Sequence, residues 1–136
     1  MNAPATQVAW ESTAAVVTRL LDEDEGSIVY VPQDQTRYDD VLGAPVSIMD
    51  FTPALRYGRI VMCLPPNISI MYTQPVIASL RESMRRFRPK DYLVAIGSPI
   101  VIAISAKIAM EKTGGRLNLL TWDRRERQYL LSTISM

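Results

Sequence analysis

The stretch "DYLVAIGSPIVIAISAKIAMEKTGG", residues 91–115, restricts the possible folds more than any other part of the chain. Its opening "DYLVAIG" is a short, almost unbroken apolar run. Such runs are strands covered on both faces, as in parallel sheets, whereas one-sided strands alternate. Gly97 then turns the chain directly into a helix. Ser98 is a natural N-cap, Pro99 suits the first helical position, and the two glycines at the end fit a left-handed C-terminal cap. The apolar window 93–110 approaches membrane-spanning length, but Gly97, Ser98 and Pro99 interrupt its start and Lys107 lies inside it. It therefore reads as a strand followed by a core helix, and no membrane partner is expected. The helix is apolar almost all round at its start, so something besides the sheet must cover it: the N-terminal region or a second subunit.

Upstream, "MDFTPALRYGRIVMCLPP" contains a short helix capped by Asp50 or Thr52, with Pro53 in its first turn and Tyr57 and Gly58 at its end. The strand "RIVMCL" follows and is stopped by a double proline. Thr73 and Pro75 open a further helix with Val76, Ile77, Leu80, Met84 and Phe87 at one-face spacing. Its other face carries Arg81, Glu82, Arg85 and Arg86. "SIVYVPQ" is a strand ended by Pro32, residues 34–47 read as an irregular surface excursion, and "RLNLLTWD" and "QYLLSTISM" are strands joined by the charged turn "RRER". Strand, helix, strand, helix, strand with right-handed crossovers predicts an α/β fold. The expected architecture is a single small domain, residues 27–136, with a three-layer-like parallel sheet, crossover helices and a C-terminal antiparallel hairpin strand. Residues 1–26 form an N-terminal acidic arm, in which the helical pattern of "TQVAWESTAAVVTRLL" runs into "DEDEG".

With 136 residues, 48% of them hydrophobic and 21% charged, the chain is the size of one domain able to bury a real core. Histidine is missing and Cys63 is the single cysteine. Ser–His–Asp and Cys–His catalysis are therefore impossible within one chain, and zinc sites of the usual Cys/His kind lack ligands. Asp22, Asp24, Asp39 and Asp40 lack the glycine-centred spacing of a calcium loop. No metal and no cofactor is expected. The opening "MNAPATQVAW" lacks the charged and apolar regions of a secretory signal, so a cytoplasmic location is expected.

The formal net charge of +1 hides an asymmetry. Residues 1–50 hold nine acids against Arg19 and Arg37, while residues 51–136 hold thirteen basic residues against five acids. A split of this kind suits a basic surface that meets nucleic acid, an acidic arm lying over its own basic face, or complementary patches that join subunits. The densest basic segment is "RESMRRFRPK", with Arg81, Arg85, Arg86, Arg88 and Lys90; Arg124, Arg125 and Arg127 of the hairpin turn extend the candidate nucleic-acid surface. Without a base-reading motif, binding there would tolerate any sequence. In a parallel sheet, ligands sit beyond the carboxyl ends of the strands, which makes Gly97, Ser98, Asn67 and Asp123 the candidate anion or phosphate site. That site has neither the glycines of a dinucleotide fingerprint nor a P-loop lysine, and Ser98 and Pro99 are explained as helix cap and first turn.

The segments "DFTPALRYGRIVMCLPP", "DYLVAIGSPIVIAISAKIA" and "GGRLNLLTWDRRERQY" occur in one order. In them the chain resembles a group of small uncharacterised bacteriophage proteins with Asp-x-Thr-Pro-Ala-x-x-Tyr-Gly, DYL…G.P and GGR…L.WDR…Y segments. The resemblance covers residues 50–136 and implies a phage origin and action in the cytoplasm of an infected bacterium; it implies no activity and no binding residues. Three functions follow as expectations. The first is a non-catalytic phage accessory protein, a homo-oligomer such as a homodimer, contacting a host or phage protein. The second is a sequence-tolerant nucleic-acid-binding protein. The third is a phosphate- or nucleotide-binding enzyme at the Gly97–Ser98 turn.

Overall fold

The computed structural model describes residues 26–65 and 68–136. The acidic run 22–25 and Asn67 therefore lie outside the described residues. The domain is built on a five-stranded sheet of order β4-β1-β5-β6-β7. Its strands are β1 (Ile28–Val31), β4 (Arg59–Met62), β5 (Tyr92–Val94), β6 (Arg116–Asp123) and β7 (Gln128–Ser135). The first four run parallel and β7 returns antiparallel to β6. Helix α1 (Thr73–Ser83) connects β4 to β5, and α2 (Pro99–Thr113) connects β5 to β6. A mixed α/β domain with a mostly parallel sheet and a terminal hairpin is thus what the patterning predicts.

The apolar strand β1 lies in the middle of the sheet, all four residues buried. It inserts between β4 and β5, so the α1 crossover passes over it. Alternation along β1 splits the core in two. Ile28 and Tyr30 point to one face with Leu93 and Leu117, against Val76, Leu80, Met84 and Phe87 from α1 and its exit and Val101, Ile108 and Ala109 from α2. Val29 and Val31 point to the other with Val94, Leu120 and Tyr129, against Ala54, Phe51 and Tyr57. Both α-helices share the first face. Among the described residues the second face is covered by the 3₁₀ helix Thr52–Arg56 and its flanks.

Two local readings change. Residues 34–47 are not irregular: β2 (Thr36–Asp39) and β3 (Ala44–Ser47) form an antiparallel hairpin of their own. Its turn is made by Asp39, whose carboxylate accepts the N–H groups of Val41 and Leu42, and by Gly43 at φ 66°. The polar composition that suggested a loop reflects a hairpin lying outside the main sheet, with no core face to impose alternation. The short helix before β4 is 3₁₀ rather than α, and Asp50 accepts the Thr52 N–H as a turn rather than capping it as the preceding residue. Helix α2 is as expected: Ser98 Oγ accepts the Val101 N–H at 3.3 Å, Pro99 follows, and Gly114 closes the helix at φ 70°.

Cys63 and Tyr30 belong to the helix-side core, and burial pushes each acid group up, to about 12 in both cases. In the unfolded chain these groups ionise near their ordinary 9.0 and 10.0. Above pH 9 the unfolded state therefore holds fewer protons than the folded one, and stability falls as pH rises towards 12. Urea unfolding at pH 8 to 11 should show midpoints dropping steadily, with a slope of up to about 1.4 kcal/mol per pH unit for each group. A midpoint unchanged across that range would mean that neither proton is retained by folding.

Candidate functional site

At the carboxyl end of the sheet, Gly97 and Arg124 line one cavity of about 330 Å³ together with Trp122 and Tyr129. Ser98 opens instead onto a neighbouring groove beside Gln33 and Asp34. Two donors at this turn are engaged within the protein: the Ser98 N–H donates to Gln33 Oε1 at 3.0 Å, and the Val101 N–H donates to Ser98 Oγ. Gln33 also fills the space above Gly97, where an added Cβ would lie 2.7 Å from Oε1. Asp123 accepts the Arg125 N–H at 3.0 Å and so organises the hairpin turn. Trp122 and Tyr129 are cross-strand partners with ring centroids 5.0 Å apart. The Tyr129 hydroxyl is buried and finds no hydrogen-bond partner among the described residues. The sequence gives no hint of this, because it depends on which groups the 3₁₀ segment brings to that face.

The arginines divide between the two ends of the sheet. Arg124, Arg125 and Arg127 follow β6 at its carboxyl end, whereas Arg81, Arg85, Arg86, Arg88 and Lys90 follow or end α1, next to the start of β5. Between the two sets β6 runs from Asn118, opposite Tyr92, to Asp123. That distance is roughly 17 Å at about 3.3 Å per residue. Arg81 pairs with Glu111 at 3.0 Å across the two helices, and Arg85 approaches Glu82 at 3.8 Å in an exposed pair. Exposed pairs of this kind contribute little and leave their charge available to a partner.

Arg88 has a different place. Its Nε and one terminal nitrogen donate to the two oxygens of Asp91 at 3.0 and 2.8 Å, and Asp91 is fully buried. The same carboxylate accepts the backbone N–H groups of Ile28 at 2.9 Å and Arg88 at 2.8 Å. Arg88 further donates to the Gly26 carbonyl at 3.2 Å. This unit ties the entry to β1, the exit of α1 and the start of β5 together. In the sequence Asp91 is merely the residue before a strand.

A concavity of about 570 Å³ opens beside this ion pair. Its apolar floor is Ile28, Tyr30, Val61 and Phe87. Its rim is mainly cationic: Arg59 comes from the edge strand β4, in register with Ile28, and Arg85 and Arg86 come from the exit of α1, with the acidic Glu82 beside them. Arg59 was not among the candidates that the sequence offers, since only the β1–β4 pairing brings it across from the α1 arginines.

Among the described residues no group of acidic, cysteine or histidine side chains is placed to hold a metal ion, and no helix is long and apolar enough to cross a membrane. Fold and site together define a small mixed α/β domain whose main surface feature is an arginine-rimmed apolar groove. Residues 27–136 match the family model described as phage Pam3 gp32-like protein, and the chain belongs to that family. It is thus a phage protein, in keeping with the resemblance read from its motifs. No curated protein and no solved structure matches the chain.

Proposed function

We propose that this phage protein is a non-catalytic accessory factor that captures an acidic, amphipathic segment of a partner protein in the arginine-rimmed groove. The observation that carries the reading is the pairing of an apolar floor with rim cations from two separate elements, β4 and the α1 exit. Such a surface takes an amphipathic helix by its apolar face and selects acidic flanks. A nucleic-acid backbone needs cations along one track, whereas the arginines here sit at opposite ends of the sheet and Arg88 is held by Asp91.

The test is a titration of labelled acidic and basic amphipathic peptides, and of single- and double-stranded oligonucleotides, across a salt series. The acidic peptide should bind, and Arg59→Glu with Arg85→Glu should weaken it by about tenfold or more. Oligonucleotide binding that the same rim variant leaves intact would move the function to the hairpin arginines.

The homodimer is supported by β7. This edge strand is eight residues long, carries no charged residue or proline, and exposes Leu130 and Leu131. Edges left this unprotected are templates for pairing, and antiparallel pairing of β7 with a second β7 would continue the sheet. Light scattering should give a dimer for the chain, and Leu131→Lys should shift the equilibrium about tenfold or more towards monomer. A monomer at high concentration would remove this element of the proposal.

A second reading is favoured by the unpartnered Tyr129 hydroxyl, which lines the same cavity as Arg124. A small anion there would accept a hydrogen bond from the phenol and pair with the guanidinium. Stabilisation by inorganic phosphate or a nucleotide that Arg124→Ala abolishes would support it.

A further inference from the structure

Resting on the groove reading above, we infer that the groove has an intramolecular occupant: residues 1–25 of the same chain, with their apolar stripe on the groove floor and Asp22, Glu23, Asp24 and Glu25 against the rim arginines. The arm thereby blocks the site until a stronger acidic partner displaces it. Three observations converge on this. The arm enters the domain at the groove, because the Gly26 carbonyl accepts a hydrogen bond from Arg88, and Ile28, two residues on, is part of the floor. The four acids immediately preceding Gly26 can extend at most about 14 Å, so they stay within that reach of Gly26 and of Arg88, which lines the groove with Arg59, Arg85 and Arg86. Held this close by the chain, they act at a high effective concentration, on the order of millimolar.

The apolar part fits as well. Trp10, Ala14, Val17 and Leu21 recur at four, three and four residues, the spacing of one helical face. A floor made of Ile28, Tyr30 and Val61 offers such a stripe the burial that an acidic arm lacks by itself. The family match starts at residue 27, so the arm lies outside the matched domain. A segment that is opposite in charge to the site where it is attached is suited to regulating that site.

Trp10 makes the inference measurable in the full chain. With Trp122→Phe it is the sole tryptophan, and its emission should be that of a shielded indole, moving to that of an exposed one at high salt or with Arg59→Glu and Arg85→Glu. Reversing Asp22 to Glu25 to lysines in that rim variant should restore the shielded emission. An exposed Trp10 in the starting chain, or one that neither reversal moves, overturns the inference.

Trypsin provides a readout independent of the Trp122 change. Cleavage after Arg19 in the unaltered chain should be about tenfold slower than in the rim variant, because opening of the docked arm gates the protease. Equal rates overturn the inference. The acidic probe peptide separates this inference from the groove reading. It should bind more tightly to a full chain with Asp22→Asn, Glu23→Gln, Asp24→Asn and Glu25→Gln than to the unaltered chain. Equal binding to both chains keeps the groove and removes the arm, and binding to neither removes the groove reading itself.

Discussion

Asp91→Ala should lower the free energy of unfolding by about 3–5 kcal/mol, the largest effect of any surface-to-core polar substitution in this domain. Asp91 has no exposed surface, and its two oxygens accept four hydrogen bonds: two from the Arg88 side chain and one each from the Ile28 and Arg88 backbone. Alanine leaves all four donors without this acceptor and leaves a guanidinium, itself only 23% exposed, beside an empty buried site. Asp91→Asn tests the charge separately. An amide oxygen can still accept one or two of these bonds, but its NH₂ faces donors, so the loss should remain large. Arg88→Ala should cost less, because the Asp91 carboxylate keeps its two backbone donors. The order Ala, then Asn at 91, then Ala at 88 can be read from urea-unfolding midpoints at constant slope. A cost under about 1 kcal/mol for Asp91→Ala would mean that water replaces the carboxylate and that the ion pair does not hold the groove wall.

The same residue shows how far a sequence carries. Outside the missed β2–β3 hairpin, the strand and helix inventory was legible because it depends on local signals: the apolar runs of β1 and β5, Ser98 and Pro99 at the start of α2, the paired glycines at its end. The β6–β7 hairpin was legible because a short charged turn joins two strand-like runs. What could not be read was anything set by which strand lies beside which. The central position of β1 follows from an order, β4-β1-β5, that is not the chain order, and with it come Arg59 opposite Ile28 and the carboxylate of Asp91 reaching the Ile28 N–H across 63 positions of sequence. Arginines that look like one basic surface when counted along the chain are separated by the length of β6, and Arg88, the fourth arginine of the densest segment, is a structural partner of a buried acid. The candidate site therefore changed from a strip of arginines to a groove, through the strand order alone.

Gly58→Ala should be the most damaging small substitution, costing about 3 kcal/mol or more and removing peptide binding along with stability. A Cβ built on Gly58 lies 2.1 Å from the Ser27 carbonyl oxygen and 2.7 Å from its carbon. Both are backbone atoms at the entry to β1, and the same Ser27 carbonyl accepts the Arg59 N–H at 3.2 Å, so the obstructed contact is the first rung of the β1–β4 pairing. No side-chain rotation can relieve it; β4 has to move away from β1. The displacement falls on Arg59 and Val61, one rim residue and one floor residue of the groove. Gly43→Ala provides the comparison, since its nearest neighbour would be the Tyr38 hydroxyl at 3.9 Å and only its φ of +66° is unfavourable, at about 1–2 kcal/mol. Thermal unfolding of the two variants, together with titration of the acidic peptide, separates steric obstruction from conformational preference. If Gly58→Ala costs no more than Gly43→Ala and still binds, β4 is free to slide on β1, and the arginine it carries cannot be a fixed part of the rim.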